Sequence, residues 1–141
     1  MDNVLLIENA HVMTSKSPLK QIQSAVVCTP DKVFVFPKKS MGHYVILHTV
    51  KTHSFFEGKS IEDGLKDVIS SVSDVSELEE KLSNLLENND QYIKDLNQAK
   101  KKHIKGFLGK KTMHIQSGMS WISFTPKGKE ATKALVKFYD F

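Results

Sequence analysis

SAVVCTPDKVFVFPKK, residues 24–39, sets two β-branched and aromatic runs on either side of the short segment TPDK. Pro30 presets φ for the first corner of a tight turn, and Asp31 tolerates the second. The stretch therefore predicts a β-hairpin. Val33, Phe34, Val35 and Phe36 are apolar at successive positions, so both faces of the second strand must be covered. Pro37 lacks a ladder donor and is expected to end that strand. Upstream, NVLLIENAHVMT (residues 3–14) reads as a first strand, joined to the hairpin by a polar connector, SKSPLKQIQ. Downstream, MGHYVILHTVKTH (residues 41–53) reads as another strand, with Val45 and Leu47 on one face and Tyr44, Ile46 and His48 on the other.

Beyond residue 56 the period changes. Ser60 is placed to cap a helix whose apolar positions are Ile61, Leu65, Val68, Ile69 and Val72. After SVSD, Ser76 and Glu79 form a capping-box pattern, with Val75 ahead of it as a staple. The spacing of Leu78, Leu82, Leu85, Tyr92, Leu96 and Ala99 predicts one long helix reaching about residue 104. KTMHIQSGMSWISFT then supplies two strands about a turn at Ser117 and Gly118. Thr125 as N-cap and Pro126 at the first helical position announce a closing helix. Ala131, Ala134, Leu135 and Phe138 form its buried stripe. The expected order is β-β-β-β, α-α, β-β-α: an α+β fold with an antiparallel curved sheet or partly open barrel. Residues 1–141 are expected to be one domain, with 57–111 a helical insertion and the last helix a cap.

Composition narrows the chemistry. A chain of 141 residues with 40% hydrophobic and 26% charged content is an ordinary globular sequence. The lone Cys28 excludes a disulfide framework and a cysteine zinc cluster, and a buried small hydrophobe is its expected role. The acidic N-terminus is unlike a signal peptide, and no run approaches the roughly 20 apolar residues of a membrane span, so a cytoplasmic location is expected. The net charge of +4 is unevenly spread: residues 1–56 carry +3, residues 57–93 carry −7 and residues 94–141 carry +8. All twenty basic residues are lysine. Without the planar fork of arginine, sequence-specific reading of DNA is disfavoured, whereas loose attraction to an anionic surface is not.

Two segments together resemble PH-like and GRAM-like domains. SAVVCTPDKVFVFPKK resembles their strand, TxDK-type turn and hydrophobic strand ending in basic residues. MHIQSGMSWISFTPKGKEATKALVKFY resembles their close: two strands about a glycine turn, then an amphipathic helix that plugs an open barrel. The likeness covers residues 24–50 and 112–139. It implies a binding module. The 57–111 insertion, and the lack of a basic loop between the first two strands, depart from phosphoinositide-binding members.

The lysine-rich NQAKKKHIKGFLGKK, residues 97–111, invites a phosphate. A nucleotide loop needs G-x-x-x-x-G-K-[ST] entered from a strand, but here its first glycine would fall on Ile104 and Lys111 follows Lys110. IKGFLGKK echoes the I-x-G-x-x-G clamp with which KH domains hold RNA, yet it precedes a strand and carries Phe107 and Leu108. Helix-end cations with Gly106 as a left-handed cap account for most of it. His43, His48 and His53 are five apart and cannot converge within one strand, so no metal site is expected. No G-x-S-x-G elbow exists, the carboxylates read as a solvated helix face, and no cofactor or catalytic residue is expected. The leading expectation is a non-enzymatic binding or regulatory module engaging a protein partner. The alternative binds nucleic acid or an acidic membrane surface through Lys100, Lys101, Lys102, Lys105, Lys110 and Lys111 with Lys129, Lys133 and Lys137. A homodimer through the 76–103 helix is a further expectation.

Overall fold

The computed structural model of the chain describes residues 3–40, 56, 58–107 and 109–140. The strand expected over residues 41–53, with His43, His48 and His53, lies outside these. In chain order the elements are β1 (Leu5–Thr14), β2 (Ser17–Cys28), β3 (Lys32–Ser40), α1 (Ile61–Ser71), α2 (Val75–Leu85), β4 (Ile93–Asp95), β5 (Lys101–Phe107), β6 (Lys110–Ser117), β7 (Ser120–Pro126) and α3 (Lys129–Phe138). The fold is α+β, with one antiparallel sheet ordered β4-β3-β2-β1-β7-β6-β5.

The hairpin at residues 24–39 forms as expected. The Thr29 N–H donates to the Lys32 carbonyl at 2.9 Å, and the Lys32 N–H donates to Thr29 Oγ1 at 3.0 Å. Pro37 does not end β3. It pairs with Ser24 where Lys38 is left over as a bulge, the place in a ladder where a missing donor is tolerated. The polar connector also proves to be mostly strand: Thr14 pairs with Ser17, and Ile22 is buried opposite Val12.

The first helix is capped as predicted, Ser60 accepting from the Asp63 N–H at 3.1 Å. The second is capped by Asp74, which accepts from the Glu77 N–H at 2.8 Å, and not by Ser76. Glu79 is drawn instead to the β2–β3 turn, where it accepts from Thr29 Oγ1 at 2.6 Å. This helix is also far shorter than its spacing predicted. Glu87 and Asn88 both take φ 55°. The Asn88 N–H reaches back to the Ser83 carbonyl at 2.8 Å, a Schellman-type stop. Residues 57–111 thus hold two helices followed by β4 and β5, and no continuous 76–103 seam exists for a homodimer. The last helix begins later than predicted as well. Thr125 and Pro126 belong to β7, and Gly128 is the N-cap at φ 101°.

The sheet is curled into a half-barrel, and chain length explains why. Laid flat, six inter-strand spacings of about 4.8 Å would separate β4 from β5 by roughly 29 Å. Only residues 96–100 join them, a reach of about 21 Å. Lys94 on β4 accordingly donates to Ser120 Oγ at the start of β7, and the Lys100 N–H donates to the Gln116 carbonyl at 2.9 Å. Inside the curl one apolar cluster joins Ile7, Val12, Met113, Ile122 and Phe124 of the sheet to Leu65, Leu78, Leu82 and Leu135 of the helices. Tyr139 closes it, its hydroxyl donating to the Thr29 carbonyl at 2.5 Å.

Candidate anion-binding face

β6, β7 and β1 are buried on one side only, and β5 extends the same sheet with Ile104 partly buried against the core. Met113, Ile115, Ile122, Phe124 and Val12 point into the core, and the residues between them lie on the outer side. The pairing of Lys101 with Gln116, His103 with His114 and Lys105 with Thr112 puts Lys101, His103 and Lys105 on that outer side. Lys110 belongs there too, diagonal to Lys105. Lys101, Lys102 and Lys105, expected as helix-end cations, are therefore strand residues. Gly106 is not a left-handed cap but a paired strand residue opposite Lys111, and Gly109, at φ 82°, supplies the turn.

The nine lysines expected to act together divide. Lys101, Lys105 and Lys110 share the outer face. Lys102 and Lys111 have the opposite parity: Lys102 Nζ donates to the Leu96 carbonyl at 3.3 Å, and Lys111 lines a cavity of about 100 Å³ with Ile104, Val136 and Tyr139. Lys100 lies in the turn before β5. Lys129, Lys133 and Lys137 lie on α3, away from its buried Leu135.

Two of these groups meet at the rim where β7 passes into α3. Lys110 from the outer face and Lys129 from α3 line one cavity of about 390 Å³, with Lys127, His11, Thr125 and Thr132. The Nδ1 of His11 is shielded from solvent and has no protein partner. The α3 N-terminus opens here without a side-chain cap, so its free N–H groups add positive potential. Sequence reasoning missed Lys127 and His11. The alternation of Thr112, His114 and Gln116 with Met113 and Ile115 is the sequence signal for the outer face, but only strand order brings His11 opposite Thr125.

The acidic helices are occupied elsewhere. Glu62 pairs with Lys38 at 3.1 Å, Asp67 with Lys59 at 3.1 Å and Glu77 with Lys81 at 4.0 Å. Among the described residues, Lys101, Lys105, Lys110, Lys127 and Lys129 form no ion pair. Cys28 is fully buried, and burial pushes its thiol up to about 12, which leaves it a poor nucleophile. Among the described residues no three His, Cys, Asp or Glu side chains gather as a metal site, and no helix is long and apolar enough to cross a membrane.

No protein-family model, curated protein or solved structure matches this chain.

Proposed function

We propose that this chain is a binding module for an anionic partner, engaged by a basic tract that runs from Lys101 and Lys105 through Lys110 to Lys127 and Lys129 at the head of α3. The observation that carries the reading is the shared cavity of Lys110, Lys127 and Lys129, which joins the strand lysines to the helix lysines. Exposed cations without counter-charges give a field that concentrates polyanions and releases their counterions on contact. The first three strands, the β5–β7 meander and a helix closing the curl also support the PH-like resemblance. The single buried thiol suits a reducing compartment such as the cytoplasm.

Affinity for a polyanion should fall steeply between low and moderate salt, and replacing Lys101 and Lys110 together by Glu should lessen the log–log salt slope by about 2. Unchanged binding in that variant sinks the proposal. A protein partner is a second reading, favoured by Leu19 and Met119, which are 97% and 93% exposed on neighbouring hairpins joined by the Ser15 N–H and the Trp121 carbonyl. In that case binding survives the charge reversal and is lost when Leu19 and Met119 are both replaced by Ser.

A further inference from the structure

We infer that the anionic partner is a single-stranded nucleic acid, whose bases stack on the ends of a ring ladder built across the outer face of β5, β6 and β7. This rests on the anion-binding reading above and names its ligand class. His103 stands opposite His114, their rings stacked with centroids 5.3 Å apart and planes 20° from parallel. His114 in turn meets Trp121 at 5.7 Å and 35°. The middle ring is held at both nitrogens, Nδ1 by Ser123 Oγ at 2.6 Å and Nε2 by Gln116 Oε1 at 3.0 Å. Trp121 is held through its backbone, its N–H donating to Ser15 Oγ at 3.1 Å.

The ladder, among the described residues, has two open ends. Among the described residues His103 and Trp121 each have one ring neighbour, His114, and all three rings belong to half-exposed residues. The Nδ1 of His103 is shielded and has no protein partner. Lys101 and Lys105 flank His103 on the same face, and Lys110 continues the line toward the cavity at α3.

Aromatic faces beside a track of cations are what a flexible single strand requires, since every base has a π-face and every linkage a charge. Such binding tolerates any sequence and does without arginine forks, in keeping with an all-lysine chain. A lipid bilayer or a sulfated polysaccharide would use the lysines but has no flat aromatic ring to stack against the ladder.

Trp121 is the only tryptophan, so intrinsic fluorescence reads the ladder directly. The full chain is titrated at low salt with oligothymidylate, with heparin, and with vesicles of phosphatidylserine in phosphatidylcholine. Expected are quenching of Trp121 by the oligonucleotide and none by heparin. Trp121→Leu should weaken oligonucleotide binding about tenfold and leave heparin binding unchanged, whereas Trp121→Phe keeps most of the affinity. Circular dichroism of each variant establishes that it is folded. Oligonucleotide binding without quenching and indifferent to Trp121→Leu overturns the inference and leaves the anion-binding reading in place. Binding of vesicles or heparin with none of the oligonucleotide does the same. If none of the three binds, both readings fall.

Discussion

Gly106 sits where a Cβ would lie 1.8 Å from the Lys110 carbonyl oxygen and 2.8 Å from the Lys111 Cα, so the β5–β6 hairpin closes only because that atom is missing. Glycine at the end of a lysine-rich run is equally what a helix cap demands, and nothing within a few residues tells the two uses apart. Gly106→Ala should destabilise the protein by about 1–3 kcal/mol, the range for forced overpacking, seen as a lower urea midpoint. A midpoint equal to the native one would mean that the hairpin is looser than described. At Gly109 nothing crowds a Cβ, and the cost there would come from the positive φ alone.

Among the described residues β5 is an edge strand, and this gives its lysines a second meaning. Unpaired edges invite pairing with other chains, and lysine is a residue by which proteins blunt them. The same residue is a good helix former, which is why the run reads as helix when isolated. His103, which stands opposite His114, is expected to make this element pH-sensitive. Burial, then the charges of Lys105, His114 and Lys101, hold His103 below its usual range. Between its folded value and about 6.5 the unfolded chain binds more protons. Stability therefore rises with pH across that window and is lost on acidification through it. His103→Gln should flatten this loss in denaturant midpoints recorded across the window. An unaltered profile would remove His103 as its source. Among the helices, Ser60 is legible as a cap, but Asp74 displaces Ser76 while Glu79 serves Thr29 in the β2–β3 turn.

The molecule as a whole is held by one apolar cluster drawn from sheet and helices alike. Leu82 of α2 and Leu135 of α3 are both fully buried in it although far apart along the chain. Leu82→Ala and Leu135→Ala should each cost about 2–5 kcal/mol. Each should shift a single unfolding transition, coincident by far-ultraviolet circular dichroism and by Trp121 fluorescence. Two separated transitions would show that the helical pair folds apart from the sheet. Lys94 latches the curl from β4 to Ser120 and is only 5% exposed. Burial lowers its pKa, opposed by Asp90 and reinforced by Lys16.

The α+β class, the 24–39 hairpin, α1 with its cap, the turn at Gly118 and the burial of Leu135 on α3 were all readable from periodicity and turn chemistry, because those signals act within a few residues. Of the rest of the α3 stripe, Ala131 and Phe138 are partly buried against the core and Ala134 is not part of it. The end of α2 at Leu85, the strands within residues 93–107 and the meeting of Lys110, Lys127 and Lys129 were not readable in this way. Apolar residues at three- and four-residue intervals satisfy a helix and a broken strand–turn–strand equally well on paper. What separates them is whether a neighbouring strand stands ready to take the backbone hydrogen bonds, β3 for β4 and β6 for β5, and that pairing is settled by the assembled sheet and not by the spacing of the apolar residues.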